Sequence, residues 1–441
     1  MSWFYRLVRG LLRLGLRAYF REIETHGVDQ VPRDGPVVFI ANHHNGMIDP
    51  FLLIAASPRP VTFIAKATLF RVPVLGWILR ALHAIPASRQ QDTGYSREKN
   101  EALYTAAGAM LAVGRAVGLF PEGRSHVDPT LAEFKHGASK IAFEAAATGA
   151  PVRVQLVGIH FEVTRGFRGR VLLQFGPTVE LAPHRETYAK DPRAAVGALT
   201  EELHAKLSSM VLTAENEDIL RLAGLVERMG ILDAAGETDM KGVFARKKAL
   251  LDGYARLKRV APVETAQLEE DLRHYRAFLD DLGARDDQIA HDYRAGRAIA
   301  YALRNTIALA LGLPFLAVGF ACNLVPYLVG RLLASFPSEF DVKTSVGFMV
   351  SIVLFPATWA ALAWIGWRYA AWPGAAAALV AAPLTGAIAL RWMDRWHAVL
   401  RATWGLWTAI ALPVARAKLR RMRMRIIERT ERLIAIHGHT V

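Results

Sequence analysis

Residues 37–50 read VVFIANHHNGMIDP: five apolar residues followed at once by a polar cluster. Asp34-Gly35-Pro36 comes just before, a turn signal that makes the apolar run a strand. The same design recurs at residues 61–65 (VTFIA), 116–120 (AVGLF), 152–159 (VRVQLVGI) and 171–175 (VLLQF). Helical stretches lie between them, at 96–113 and 138–147. Strands alternating with helices predict an α/β fold. Polar residues gather just past three of the runs: Asn42-His43-His44, Lys66, and Pro121-Glu122-Gly123. Ligand sites in such folds lie outside the carboxyl ends of the strands, so the chemistry is expected there.

The first cluster holds His43, His44 and Asp49. A loop turning into a helix can bring either histidine back onto the carboxylate. A carboxylate on one imidazole nitrogen fixes the tautomer, and the other nitrogen can then take a proton from a hydroxyl. The second cluster is Phe120-Pro121-Glu122-Gly123-Arg124-Ser125-His126. Gly123 can expose backbone N–H groups, Arg124 can bind a phosphate bidentately, and Glu122 can accept from a polyol hydroxyl. Lys66, followed by Leu69, Pro73 and Gly76, is a third candidate to face an anionic group.

These pieces resemble the glycerolipid acyltransferase family, whose members acylate glycerol-3-phosphate and lysophosphatidic acid. Asn42 to Asp49 resembles its Asn-His…Asp block and Lys66 to Gly76 its Lys…Pro…Gly block. Phe120 to Ser125 resembles its Phe-Pro-Glu-Gly block, and residues 155–161 (QLVGIHF) its apolar strand. The order and separations fit, over about residues 25–180. The commoner spacing in the family selects His44, and an Asn directly before the histidine selects His43. A branch similar to the fungal-type glycerol-3-phosphate acyltransferases has five intervening residues, and His43, Asn45 and Asp49 match it. Lys135-His136-Gly137-Ala138 also looks like a segment of that branch. The resemblance implies an acyltransferase-type α/β sandwich with catalytic His43 (or His44) and Asp49. Lys66, Glu122, Gly123, Arg124 and Ser125 would bind the acceptor. It implies no cofactor and no metal, only a thioester co-substrate, acyl-CoA or acyl carrier protein. The histidine would take the acceptor's proton and Asp49 would orient it, so no serine or cysteine nucleophile is needed.

The rest of the 441 residues fixes the setting. The net charge is +14, but residues 186–300 carry 21 acids against 17 Lys and Arg. The surplus sits in residues 391–441, with 11 Lys or Arg against Asp394, Glu428 and Glu431. No charged residue occurs at 305–330, 345–367 or 369–390. A helix crosses a bilayer with about 20 apolar residues, so these windows predict membrane segments. Pro314, Asn323 and Pro326 make the first the best candidate for a re-entrant one. Trp3, Phe4, Leu7, Val8, Leu11 and Leu12 alternate at helical spacing with Arg6, Arg9, Arg13 and Arg17, which predicts a helix at a membrane surface. The expected organisation is a surface helix at 1–25, the acyltransferase domain at 26–185 and a helical region at 186–300. Two or three membrane segments at 305–390 and a basic interfacial tail at 391–441 complete it. The catalytic domain is expected on the cytoplasmic face of an integral membrane protein.

Other function classes fit less well. Cys322 is the single cysteine, so no internal disulfide is possible. The Gly-x-Ser-x-Gly elbow of a lipid hydrolase is missed at Gly123-Arg124-Ser125-His126-Val127. No third ligand stands at zinc spacing from His43, His44 and Asp49. The positive charge lies beside membrane segments, with no nucleic-acid-binding motif.

Overall fold

The computed structural model describes residues 3–71, 75–88, 97–162, 167–232, 239–290, 295–336 and 340–437. Pro73 of the Lys66–Gly76 block lies outside them. The chain divides into two compact units, one of residues 1–212 and 329–354, the other of residues 213–328 and 355–441.

The first unit opens with helix α1 (Trp3–Tyr19), strands β1 (Glu22–His26) and β2 (Val37–Ala41), and helix α2 (Ile48–Ala56). Next come β3 (Val61–Lys66), α3 (Leu75–Ala81), β4 (Ile85–Ala87), α4 (Arg97–Ala112), β5 (Ala116–Leu119) and α5 (Gly137–Ala147). Strands β6 (Arg153–Phe161) and β7 (Arg170–Glu180) and helices α6 (Arg185–Lys190) and α7 (Pro192–Met210) complete it. The strands form one seven-stranded sheet in the order β1-β7-β6-β2-β5-β3-β4. Strands β6, β2, β5, β3 and β4 are parallel, whereas β7 runs antiparallel to β6 and carries β1 parallel to itself. The predicted α/β sheet is therefore present.

All five residues of β2 are buried, as a parallel strand covered on both faces requires. Side chains alternate across a strand, so Val38 and Ile40 enter one core and Val37, Phe39 and Ala41 the other. Helices α4, α5 and α7 close the first core; α1 and α2 close the second. Leu199, Leu203 and Leu207 of α7 are fully or almost fully buried there. The expected domain edge at 185 thus falls inside the unit, which runs on to Leu212 because α7 supplies part of the core.

Two strands, β1 and β4, have no apolar run to announce them, and both are edges. Strand β1 has the charged sequence EIETH and is fastened by Arg170, whose Nε lies 2.6 Å from Glu22 and whose Nη2 lies 3.1 Å from Glu24. Strand β4 is three residues long and contains Pro86. Edge strands need neither a full apolar run nor every N–H.

Helix α1 docks differently from its arginine-versus-apolar pattern. Tyr5, Leu12 and Leu16 are buried, and Arg9 and Arg13 turn inward to the carbonyls of Ala55 and Ser57 at the end of α2. Those carbonyls have no partner within their own helix, so the arginines cap them. Trp3, Leu7, Leu11 and Leu14 remain exposed.

The second unit contains α8 (Glu217–Arg228), α9 (Met240–Val260), α10 (Pro262–Asp281), α11 (Asp286–Ala290) and most of α12 (Ala295–Ser335) and α13 (Phe340–Ala411). Helix α14 (Pro413–His437) closes it. Residues 303–335 and 346–404 are helical and apolar, and the most apolar 18-residue windows within them have mean hydropathies of 2.1 and 1.9. The second stretch is broken at Ala370 and Ala371, where φ is −138° and +51°, just before Pro373. Three apolar helical segments result, one for each predicted window. Gly366 and Gly374 meet backbone to backbone across the break, where an added Cβ on Gly366 would lie 2.4 Å from the Gly374 oxygen.

The basic tail is a member of this helical unit, not a purely interfacial segment. Asp286 is 2% exposed and its Oδ1 accepts from Tyr275 Oη (2.8 Å) and Arg423 Nε (3.0 Å). Arg423 also reaches the Met229 carbonyl, Arg420 that of Ile289, and Arg429 pairs with Asp271. Burial, and next the Asp286 charge, push the Tyr275 hydroxyl pKa up, so it stays protonated and donating. Several charges that the sequence assigned to lipid are spent inside the protein, where a buried carboxylate must be paired.

Gly27 tests the sheet's register. Its φ is +70°, and an added Cβ would lie 2.1 Å from the Phe175 carbonyl oxygen. Gly27→Ala is expected to cost more than about 1–2 kcal/mol and to lower the melting temperature of the purified protein by about 3 °C or more. Gly253→Ala, within α9 and with open space around it, is expected to be neutral or stabilising in the same thermal unfolding measurement.

Candidate active site

Parallel pairing aligns the carboxyl ends of β2, β5 and β3, because Ile40 is level with Leu119 and Phe63 with Gly118. The polar clusters after these strands therefore emerge on one edge of the sheet. Three bonds fasten the first cluster to the second. His43 N–H donates to Glu122 Oε1 (2.7 Å), His126 N–H donates to the His43 carbonyl (3.1 Å), and His44 Nδ1 donates to the His126 carbonyl (3.0 Å). On the other side, Asn42 clamps β6, donating to the Ile159 carbonyl and accepting from its N–H.

Asp49 lies in the first turn of α2 and is wholly buried. Its Oδ2 accepts from His43 Nδ1 at 2.9 Å, His44 N–H at 2.8 Å and Asn45 N–H at 2.8 Å. All three partners are placed as donors to this one oxygen. An ionised carboxylate only accepts, so His43 Nδ1 carries the proton and Nε2 is the basic nitrogen. The His43 ring stacks on Phe120 (centroids 4.0 Å apart, planes 13° apart), and Phe120 stacks in turn on Phe63. The ring is thus held by a hydrogen bond at one edge and an aromatic face beneath. Among the described residues no carboxylate pairs with the His44 ring; its Nδ1–H is spent on a backbone carbonyl.

Glu122 is built into the loop itself. Its side chain is fully buried, and its two oxygens take the His43 N–H, the His126 ring and the Ala132 N–H. It holds the loop together. Gly123 has φ +71°, and the Lys135 side chain crosses over it, 3.0 Å from where a Cβ would stand. Arg124 is 62% exposed, with its nearest carboxylate, Asp128, at 3.8 Å. Ser125 is half-buried in the same turn, and Lys66 is half-buried at the end of β3.

Three residues carry more than the sequence assigned them: Phe120 under the imidazole, His126 against Glu122, and Lys135 over Gly123. The Glu122/His126 spacing of four was a visible signal; the stacking of Phe120 needed the fold. Farther along β6, His160 is buried, and desolvation, then repulsion from His44, push its pKa down to about 3 against the help of the Met210 carbonyl.

Comparisons with known proteins find relatives of the stretch that carries this edge. Residues 22–155 match the family described as Acyltransferase. Glycerol-3-phosphate O-acyltransferase 2 of Saccharomyces cerevisiae is 28% identical over 176 residues, 39% of this chain and 23% of its own length. A chloroplastic 1-acyl-sn-glycerol-3-phosphate acyltransferase of Brassica napus is 31% identical over 134 residues, 30% of this chain and 36% of its own. The crystal structure of the 1-acyl-sn-glycerophosphate acyltransferase of Thermotoga maritima aligns with 45% of this chain and 78% of its own, at 22% identity and a TM-score of 0.33. The chain spans about half, or less, of the length of the curated relatives it matches first. Residues 22–155 thus match the Acyltransferase family, and over that stretch the chain is similar to glycerol-3-phosphate and 1-acyl-sn-glycerol-3-phosphate acyltransferases.

His160 gives a pH prediction with a defined sign. Its folded pKa lies below that of an exposed histidine, about 6.5, so between that value and about 3 the unfolded chain binds the extra proton. Stability from neutral His160 is fully present above about pH 6.5 and is lost as the pH falls. Chemical denaturation at pH 7.5 and 5.0 is expected to show an acid loss that His160→Gln reduces. An equal loss in wild type and variant would assign the acid sensitivity to other groups.

Proposed function

We propose that this protein transfers a fatty acyl group from a thioester to a hydroxyl of a glycerol phosphate at a membrane surface. The donor is acyl-CoA or acyl carrier protein, and the acceptor is glycerol-3-phosphate or 1-acylglycerol-3-phosphate. The observation that carries this reading is the 2.9 Å contact between His43 Nδ1 and a buried Asp49 whose same oxygen holds two backbone N–H groups. That arrangement fixes an imidazole with Nε2 unprotonated, which is what a general base for a hydroxyl requires. His44, with its ring tied to a carbonyl, fits the role less well.

In the proposed reaction Nε2 of His43 takes the proton of the acceptor hydroxyl as its oxygen attacks the thioester carbonyl. The new C–O bond gives a tetrahedral oxyanion, which collapses by breaking the C–S bond. The thiolate leaves with the proton returned by the imidazolium, and Asp49 stabilises that imidazolium meanwhile. Oxygen ester and thiol are the products, so neither metal nor cofactor enters the balance. Arg124, exposed on the neighbouring loop, Lys135 over Gly123, and Lys66 supply positive charge for the acceptor's phosphate.

The two long apolar helices support an integral membrane protein, and the exposed Trp3, Leu7, Leu11 and Leu14 of α1 support surface contact by the catalytic unit. The catalytic unit is placed on the cytoplasmic side, where thioester donors and phosphate acceptors are made. Relatives named for glycerol-3-phosphate and for its 1-acyl derivative keep both acceptors in view.

His43→Ala is expected to lower acyl transfer by roughly 10²- to 10⁴-fold, the usual worth of a general base, while His44→Ala falls within about tenfold of wild type. The assay follows esterification of each labelled acceptor with acyl-CoA by the purified, detergent-solubilised protein, and the acceptor with the higher kcat/KM identifies the substrate. A dead His44→Ala beside an active His43→Ala would reassign the base; full activity in both would remove catalysis from this edge.

A further inference from the structure

Helix α14 carries more cations than it spends on the helical unit. On α14, Arg420, Arg423 and Arg429 are tied to carbonyls and carboxylates of the helical unit. Lys418, Arg421 and Arg425 are not used in that way. They recur at spacings of three and four, so they share one face of the helix. All three are exposed, and among the described residues Arg421 and Arg425 have no ion-pair partner. Like charges so placed oppose the helix that carries them unless an anion neutralises them. They line a cavity of about 480 Å³, with His274 and Asp271 of α10 on the opposite wall. The Asp271 carboxylate is already paired with Arg429, which leaves the cavity with a surplus of positive charge.

Its position indicates where the anion comes from. Trp404 ends the apolar stretch of α13, stacks on Trp407 and donates its indole N–H to the Leu282 carbonyl at 3.2 Å. Tryptophans at the end of an apolar helix mark the headgroup level. Lys418 lies over the Phe278 ring, 4.8 Å from its centroid. Residues 278 and 282 flank the end of α10, about one turn or ~6 Å apart. The rim of the cavity is therefore close to the level of the lipid phosphates.

We propose that Lys418, Arg421 and Arg425, with His274 facing them, form a binding site for the headgroup phosphate of an anionic phospholipid. The site is separate from the acyl-transfer edge and rests on the membrane assignment above. It gives the helical unit, for which the sequence suggested no role, a function as a lipid clamp. Arginines suit this use because the guanidinium fork matches two phosphate oxygens, and the aromatic ring of Phe278 holds the lysine in place.

The test uses the full-length protein in detergent with radiolabelled phosphatidic acid, phosphatidylcholine and glycerol-3-phosphate as separate probes. Saturable binding of phosphatidic acid is expected, with little of phosphatidylcholine, and any glycerol-3-phosphate bound at the acyl-transfer edge is expected to be the same in wild type and in the variants below. Arg421→Gln/Arg425→Gln is expected to weaken phosphatidic acid binding roughly 20- to 30-fold, about fivefold for each cation lost near an anionic lipid. Arg432→Gln, outside the cavity, serves as the control. Thermal unfolding reports whether the double variant is folded; if it is not, Arg425→Gln alone is expected to show the fivefold loss. Unchanged phosphatidic acid binding in folded variants would overturn the proposal. Glycerol-3-phosphate binding lost in the double variant would also overturn it, by making the ligand a soluble phosphate. Resistance of the wild type to carbonate extraction is scored separately, so a failure of the membrane assignment is not mistaken for a failure of the site.

Discussion

A parallel sheet covered on both faces leaves its polar side chains one exit, the carboxyl edge. In this protein β2 and β5 are buried throughout and β3 over its first half, so Asn42, His43 and His44, Glu122 and Lys66 collect at or beyond their ends. That constraint brings segments some 80 residues apart into one site. Glu122 then makes the edge a fixed structure. Its buried carboxylate is shared by the backbone of the histidine loop, the His126 ring and the Ala132 N–H. An unpaired carboxylate at that depth would be very costly, so the three donors are held as firmly as the charge is.

The geometry separates two adjacent histidines that look equivalent on paper. His43 has a carboxylate on Nδ1 and an aromatic ring beneath; His44 has a carbonyl. The difference follows from Asp49, which takes the N–H groups of His44 and Asn45 with the same oxygen and so curls the loop around itself. The loop conformation and the tautomer of His43 are thus set by one side chain.

Much of this was legible in the chain. Strands β2, β3, β5, β6 and β7 announce themselves as apolar runs because they are covered on both faces or lie next to strands that are. Strands β1 and β4 do not, since edge positions accept Glu22, Glu24 and Pro86. The candidate residues were visible as types at spacings, but the spacing could not reveal that Glu122 faces inward or that Phe120 lies under His43. The basic tail misled in part for the same reason. Asp286 and Tyr275 are 137 and 148 residues from Arg423, and only the folded helical unit makes them its partners.

The central claim is that the buried Asp49 sets the His43 imidazole as the base for acyl transfer. Steady-state acyl transfer by Asp49→Asn, in a protein confirmed to be folded, tests it most directly. The amide keeps the size of the side chain and one accepting oxygen but removes the charge that holds the imidazolium. A fall in kcat of about 10²-fold or more, with the acceptor KM little changed, is the predicted result. Turnover within a few-fold of wild type would contradict the account.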